Sequence, residues 1–182
     1  PKVLYLDRQD KNKQAVELVG KILGIKKEIV ENTLEEFKGL EHRLEYVDTI
    51  QGVTFINDSK ATNVDSVRYA LEKIPFSTVL ILGGRDKGGD FSGLSSLIEK
   101  KVKQIILIGE AKGKIREELK GIKAIKEANS LQEAFDFAER TAKRGDAVLL
   151  SPGCASFDMF ADFKQRGREF KRMVESSRRR LS

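Results

Sequence analysis

The stretch Phe55-Ile56-Asn57-Asp58-Ser59-Lys60-Ala61-Thr62-Asn63 marks the point where a short strand passes into a helix. Residues 53–56 are typical of a strand, and apolar residues then recur at helical spacing over residues 64–71. The first turn of a helix has free backbone N–H groups, which favour anions. A carboxylate and an ammonium group, Asp58 and Lys60, in such a junction indicate a site for a charged ligand.

Strand and helix patterns alternate through the rest of the chain. Continuous apolar runs at residues 78–82, 104–108 and 147–150 are typical of strands covered on both faces. A hairpin is predicted at residues 44–56, with its turn at Gln51-Gly52, and helices are predicted at residues 94–100, 112–119, 131–143 and about 160–175. The alternation predicts an α/β fold: a Rossmann-like, mostly parallel sheet with helices on both faces.

A short helical segment precedes this pattern. Residues 11–24 and 26–37 show helical periodicity, and residues 3–6 form a β-like run before them. The two helices have no partner layer within the first forty residues. We therefore predict that residues 1–41 are the tail of a preceding domain or a docking arm, and that residues 42–182 form the α/β domain.

The composition describes a globular protein of 182 residues, 40% hydrophobic and 34% charged. Apolar runs stay well short of the roughly 20 residues that a membrane helix needs, and no signal peptide opens the chain, so we expect no membrane span. A single cysteine excludes an internal disulfide, which fits a reducing cytoplasm. Cys154 itself is predicted to be a small buried hydrophobe.

The net charge of +6 is concentrated at one end of the chain. Residues 164–182 contain eight Lys or Arg and two Glu, so the preceding residues are balanced. A nucleic-acid-binding domain usually has a basic face across its fold. We interpret the basic residues as a solvated helix face with an Arg178-Arg179-Arg180 tail and expect no nucleic acid partner; binding through the tail is the competing hypothesis.

Polar or glycine-rich segments follow three of the predicted strands, at residues 57–63, 83–90 and 151–158. In open α/β sheets, ligands bind outside the carboxyl ends of the strands, so these segments predict one composite site. A purely structural alternative is that Asp58 and Asn63 cap turns and the next helix, and that the glycines of residues 83–90 form a flexible turn. Capping does not account for Lys60.

Several familiar sites are excluded by motif. The chain contains no G-x-G-x-x-G dinucleotide fingerprint and no G-x-x-x-x-G-K-[ST] phosphate loop. Residues 151–156 do not form a G-x-S-x-G nucleophile elbow. His42 is the only histidine, which excludes a metal cluster built from several histidines and argues against a general base.

The segment at residues 57–63, with His42-Arg43 before it, resembles the Mur ligase family, and within it the branch that adds D-glutamate. Gly83-Gly84-x-x-Lys87, the run at residues 151–156 and the pattern at residues 165–170 match the same branch. The resemblance implies the C-terminal substrate-binding domain of a bacterial cytoplasmic enzyme of peptidoglycan synthesis. Such an enzyme uses ATP to activate UDP-MurNAc-L-alanine as an acyl phosphate, which D-glutamate attacks to form an amide.

The resemblance also implies roles for individual residues. Asp58 would contact the ATP ribose, Arg43 the phosphates and Asn12 the adenine. The D-glutamate carboxylates would be held by Lys60, Thr62, Lys87, Ser156 and the backbone of Phe163, with Phe157 beside Ser156. Lys60 would also be catalytic, by stabilising negative charge that develops on the acyl phosphate.

The expected partners are D-glutamate, ATP and UDP-MurNAc-L-alanine, together with N-terminal and central ATPase domains of the same protein. Residues 1–41 would then be the end of the central domain. Magnesium ligands are expected on those domains and none on this chain. Because the sequence contains no phosphate loop, we expect this chain alone to be inactive. The alternative is a non-catalytic α/β module that binds an acidic or phosphorylated small molecule.

Overall fold

The computed structural model describes residues 11–37 and 39–181, without the side chains of Lys11 and Leu181. The chain divides after Gly39 into two compact units. The predicted β-like run at residues 3–6 lies outside the described residues. The assignment of the first unit to a preceding domain stays a prediction.

The first unit contains the two predicted helices, α1 (Lys11–Ile22) and α2 (Lys27–Glu36). Gly20 and Val30 are buried against each other where the helices pack. Most apolar side chains of α1 are exposed; Leu18 is 59% exposed and Ile22 is 73% exposed. The pair therefore has only a small interior of its own.

The second unit is built on a six-stranded sheet. Its strands are β1 (Glu45–Ile50), β2 (Val53–Asn57), β3 (Thr78–Gly83), β4 (Val102–Ile108), β5 (Ile125–Glu127) and β6 (Ala147–Leu150). Their order across the sheet is β1-β2-β6-β3-β4-β5. Only β1 and β2 pair antiparallel; the other neighbours are parallel, which confirms the predicted α/β class. The sequence did not predict β5, because its three residues are only partly buried and form no apolar run.

Helices cover both faces of this sheet. They are α3 (Val64–Lys73), α4 (Ser95–Lys101), α5 (Lys112–Glu118), α6 (Leu131–Thr141) and α7 (Phe163–Leu181). On one face, α6 and α7 pack together through the rings of Phe135 and Phe170, whose centroids are 5.8 Å apart. On the other face, α3 packs against α4. No helix in the described ranges combines the length and the apolar composition that crossing a bilayer demands.

The last helix differs from its prediction at both ends. It begins at Phe163 rather than near residue 160, because the N–H groups of Met159 and Phe160 donate to the Ser156 carbonyl in a separate turn. It also continues through Arg178, Arg179 and Arg180, which the sequence placed in a tail beyond the helix. Arg178 lies 3.2 Å from Asp48, and Arg180 lies 3.1 Å from Glu139. These ion pairs hold the basic end against the unit.

The position of β6 sets the arrangement of the sheet. All four of its residues are buried, and it pairs with β2 on one side and β3 on the other. Leu150 stands opposite Asn57 of β2 and Ile81 of β3, so the three strands end at nearly the same level. The segments that follow them are therefore neighbours in space.

Gly83, the last residue of β3, is at a close contact between strands. Its φ of +118° is in a region that favours glycine, and a Cβ added there would overlap the carbonyl oxygen of Ile108. The overlapped atom belongs to the backbone of β4, which cannot rotate away as a side chain would. An alanine at this position must therefore displace the end of the strand.

We predict that Gly83→Ala lowers the free energy of unfolding by about 2–3 kcal/mol, since it combines backbone strain with overpacking. Gly113→Ala is the matched control, because Gly113 lies in α5 and a Cβ added there meets no atom within 4 Å. It should stabilise the chain by up to about 1 kcal/mol through helix propensity. Urea unfolding of both variants measures the difference; equal stabilities would contradict the strand contact.

Candidate functional site

Three segments meet at the carboxyl edge of the sheet: residues 57–63, 83–90 and 151–158. Backbone hydrogen bonds join them directly. The N–H of Gly83 donates to Pro152 O at 2.8 Å, and the N–H of Gly153 donates to Ala61 O at 2.9 Å. Arg85 and Ala155 exchange two further bonds of 2.9 and 3.0 Å. These segments therefore form one connected surface.

Asp58 is a buried link between two of these segments. Its side chain accepts a hydrogen bond from the Leu44 N–H at 3.1 Å and one from the Ser151 hydroxyl at 2.8 Å. Its own N–H donates to Leu150 O at 2.8 Å. Only 4% of the residue is exposed, so the predicted contact with a ribose would use the second lone pairs of oxygens that are already bonded. That role stays a prediction.

Burial raises the pKa of the Asp58 carboxyl to about 6, against the hydrogen bonds from Ser151 and Leu44 and the nearby charge of Arg43, which all act to lower it. The desolvation of a buried carboxylate favours its neutral form, and here it outweighs the donors. Asp58 therefore titrates close to neutral pH rather than near its ordinary value of 3.8.

The capping alternative holds for Asn63 but does not describe Asp58. The Asn63 side chain accepts a hydrogen bond from the Ser66 N–H at 2.9 Å and caps α3. Asp58 instead bonds to residues that are distant in sequence. The junction thus contains an ordinary helix cap and a separate buried carboxyl group.

Lys60 is exposed and lies next to the start of α7. The Lys60 ammonium is 5.4 Å from the centre of the Phe163 ring. The backbone N–H of Lys60 donates to the backbone carbonyl of His42 at 2.9 Å. The Phe163 carbonyl accepts a hydrogen bond from the Ser59 hydroxyl at 2.7 Å. Because Phe163 is the first residue of α7, its N–H is among those that a helix leaves without an internal acceptor. A cation and the positive end of a helix therefore lie side by side.

The other predicted D-glutamate residues differ in exposure. Lys87 is exposed, and Thr62 is half-buried. Phe157 is 63% exposed, whereas the neighbouring Ser156 is 2% exposed. Lys60, Lys87 and Phe157 therefore present accessible groups, while Ser156 is nearly enclosed. The roles in binding of all six predicted D-glutamate residues, Phe163 included, stay predictions.

The two remaining nucleotide residues are Arg43 and Asn12. Arg43 is exposed, and its charge acts on the buried Asp58 carboxyl. Asn12 is on an exposed position of α1 in the first unit. The structure brings Arg43 and Asp58 together and describes Asn12 separately, so its role at an adenine stays a prediction.

His42 is buried next to the segment at residues 57–63. Its Nδ1 is 2.9 Å from Asn57 Nδ2, and burial lowers the pKa of the imidazole, against the nearby carboxylates of Glu41 and Glu45 that act to raise it. A Cβ added at Gly167 would overlap the ring, so α7 approaches it closely at this point. The His42-Arg43 pair of the sequence thus combines a framework residue with an exposed cation.

Within the described ranges, Glu41, His42 and Glu45 are the group that comes closest to a metal site, with ligand atoms within 4.8 Å of one another. The Lys171 ammonium lies 3.0 Å from Glu41 Oε1 and 2.6 Å from Glu45 Oε1. The Lys171 ammonium already forms an ion pair with both carboxylates. This donor set does not fit Mg²⁺, which prefers octahedral oxygen ligands and retains several waters.

Sequence reasoning missed Ser151 and Asn57 as partners within the site. Asn57 donates to Glu45 Oε2 at 2.9 Å and lies against His42, and Ser151 bonds to Asp58. Asn57 is the last residue of β2 and Ser151 directly follows β6, and a polar residue at the end of an apolar run can be recognised in the sequence. Their partners could not be named, because the pairing of β2 with β6 brings together residues 93 positions apart.

Asp58 gives the stability of the chain a specific pH dependence. The pKa of about 6 in the folded state lies above the ordinary value of 3.8, so folding favours the protonated form. Its contribution is fully present below pH 3.8 and is lost as the pH rises through about 6. The shift corresponds to a loss on the order of 3 kcal/mol.

We predict that Asp58→Asn is more stable than the wild type at pH 8 and that the difference shrinks below pH 5. The asparagine keeps the shape and cannot ionise. Thermal unfolding from pH 4 to 8 measures the difference. Asp65→Asn, an exposed change at the start of α3, is the control and should run parallel to the wild type. A constant offset for Asp58→Asn would contradict the buried titration.

The sequence of this chain matches a known protein family. The model of the family described as "Mur ligase, glutamate ligase domain" matches residues 42–154. UDP-N-acetylmuramoylalanine--D-glutamate ligase of Pelodictyon phaeoclathratiforme is 49% identical over 163 residues, covering 90% of this chain and 35% of the relative. The enzyme of the same name from Aquifex aeolicus is 44% identical over 165 residues, covering 90% and 40%.

Solved structures show the same fold at low identity. UDP-N-acetylmuramate-alanine ligase MurC of Thermotoga maritima superposes with a TM-score of 0.69 at 18% identity, over 91% of this chain and 37% of that one. MurF of Acinetobacter baumannii gives a TM-score of 0.63 at 22% identity, over 87% and 36%. The chain spans 35% of the relative from Pelodictyon phaeoclathratiforme and 40% of the one from Aquifex aeolicus.

The family match extends from His42 through the polar junction after β2 to the segment after β6, and so includes most of the edge described above. The chain therefore belongs to the Mur ligase family, as its glutamate ligase domain.

Proposed function

We propose that this chain is the C-terminal, amino-acid-binding domain of an ATP-dependent ligase that adds D-glutamate to UDP-MurNAc-L-alanine in bacterial peptidoglycan synthesis. The names of the relatives support this proposal. The structural observation that carries it is the exposed Lys60 ammonium beside the first residue of α7. Together they make a compact site for a carboxylate.

The chemistry of D-glutamate suits this edge. It carries two carboxylates, and each needs cations or N–H donors in place of the water it loses. Lys60 and Lys87 are exposed cations on two adjoining segments, and the α7 start adds backbone donors and a favourable dipole. Thr62 and Ser156 would add hydroxyl donors, and the exposed Phe157 would cover the carbon chain.

The proposed reaction joins the two substrates in two stages. ATP phosphorylates the L-alanine carboxylate, and the amine of D-glutamate then attacks the carbonyl carbon of the acyl phosphate, with release of ADP and phosphate. This chain would hold the amine in line for attack, which is a positioning task. Lys60 would stabilise the negative charge that develops on the acyl phosphate.

Other parts of the reading frame would supply the remaining groups. The sequence contains no phosphate loop, and the group formed by Glu41, His42 and Glu45 does not fit Mg²⁺. We therefore propose that N-terminal and central domains hold the metal, the phosphates and the uridine nucleotide. Arg43, Asp58 and Asn12 would complete the nucleotide site, and the protein would act in the cytoplasm. This 182-residue chain alone should not hydrolyse ATP.

We predict that Lys60→Met and Lys87→Met, made in the protein encoded by the full reading frame, fold normally and lose at least about 100-fold in D-glutamate-dependent phosphate release. Both side chains are exposed, so their loss leaves the core unchanged. Lys120→Met is the control, because Lys120 is also exposed, lies just beyond the last residue of α5 and has its ammonium 3.5 Å from Glu117. It should keep wild-type activity.

Full ligation by both site variants would overturn the proposal. An absence of D-glutamate-dependent phosphate release in the wild type, with D-glutamate or phosphate still bound, would favour the non-catalytic module. Nuclear magnetic resonance titration of the 182-residue chain with D-glutamate separates these outcomes. Shifts confined to residues 57–63, 83–90 and the start of α7 support the site.

A further inference from the structure

Arg166, near the start of α7, is a buried cation that the proposed reaction does not use directly. It is 0% exposed. Its Nε donates to Ser59 Oγ at 3.0 Å and its Nη2 to Ser59 O at 2.9 Å. Nη2 also donates to Cys154 O at 3.1 Å, and Nη1 donates to Ala155 O at 3.4 Å.

Each of these acceptors is a neutral oxygen. In the part of the chain that the structure describes, no carboxylate lies within salt-bridge distance of Arg166, and the charge of Asp158 acts on the guanidinium only from farther away. Burial lowers the pKa of the guanidinium to about 10, so the group stays charged at neutral pH. A buried charge without an ionic partner is costly, and an apolar side chain of similar volume would avoid that cost. Core packing alone therefore does not account for an arginine here.

The acceptors lie next to the groups that we assign to D-glutamate. Ser59 precedes Lys60, and Ala155 precedes Ser156. Arg166 itself is one turn after Phe163, whose carbonyl accepts the Ser59 hydroxyl at 2.7 Å. The Arg166 guanidinium thus joins the start of α7 to the segment after β2 and the segment after β6. It contacts each segment next to a residue that we assign to D-glutamate.

The nucleotide side of the edge is held in a different way. Asp58 is attached to Leu150 of β6 by its N–H and to Ser151 by its carboxyl group, and neither bond involves Arg166. Asp58 directly follows β2, whereas Ser156 is six residues beyond the end of β6. The sheet therefore positions Asp58, whereas the position of Ser156 depends on contacts made by the segment after β6.

We propose that Arg166 is a positioning residue that sets the spacing between the D-glutamate-binding groups after β2, after β6 and at the start of α7. The proposal rests on the function proposed above. The guanidinium has five N–H donors in a rigid plane, which suits four acceptors on two segments. A lysine at this position has three donors on one atom and cannot span them.

The test uses the protein encoded by the full reading frame and compares Arg166→Met and Arg166→Lys with Arg168→Met. Arg168 lies two residues further along α7 and is exposed, so its loss should change nothing. For both Arg166 variants, we expect the KM for D-glutamate to rise about 10- to 100-fold. The KM values for ATP and UDP-MurNAc-L-alanine should stay close to those of the wild type.

A second readout is chemical rescue. Arg166→Ala should recover part of its affinity for D-glutamate when guanidinium ion is added at a concentration too low to unfold the protein. Methylammonium at the same concentration should not restore it, since it lacks the planar set of donors. A role limited to stability would lower the melting temperature and leave the ratio of the three KM values unchanged, which would overturn the proposal.

Ser59→Ala keeps the proposal testable if the Arg166 variants do not fold. It removes the hydroxyl that accepts from Arg166 Nε and donates to Phe163 O, while the cation remains. The same selective rise in the KM for D-glutamate is expected, and an unchanged KM would overturn the proposal. A wild-type protein without D-glutamate-dependent ligation would instead contradict the proposed function, so the two failures are distinct.

Discussion

The pairing of β6 with β2 on one side and β3 on the other sets the positions of the segments that form the candidate site. All four residues of β6 are buried, so the strand is stable only between two neighbours. Its insertion brings the segments after β2, β3 and β6 to one edge. The bond from Ser151 to Asp58 and the bonds between Arg85 and Ala155 then join these segments to one another.

Buried and exposed polar residues have different tasks at this edge. Asp58, His42 and Arg166 are enclosed and bond mainly to other parts of the framework. Lys60 and Lys87 point outward. A ligand that carries two carboxylates would meet exposed cations whose backbones are held by buried groups. Such preorganisation would limit the entropy lost when a ligand binds.

Much of this fold follows from local patterns. The hairpin at residues 44–56 was predictable from its Gln51-Gly52 turn. The apolar runs of β3, β4 and β6 were predictable because strands buried on both faces contain few polar residues. The strand β5 was not predictable, because one half-buried residue followed by two exposed ones gives no periodic signal. The helical state of Arg178 to Arg180 was also missed, since their ion pairs with Asp48 and Glu139 are contacts over long sequence distances.

The positions of Asp58, Lys60, Lys87 and Ser156 after strands are evident from local sequence patterns, which also predict that one edge of an α/β sheet presents them. Which of these residues are enclosed depends on tertiary packing. Asp58 and Ser156 are buried because β6 lies beside β2 and α7 packs over both segments, whereas Lys60 and Lys87 are exposed. Burial depends on neighbours that are distant along the chain, and a local pattern contains no information about them. The same holds for Arg166, whose acceptors are up to 107 residues away.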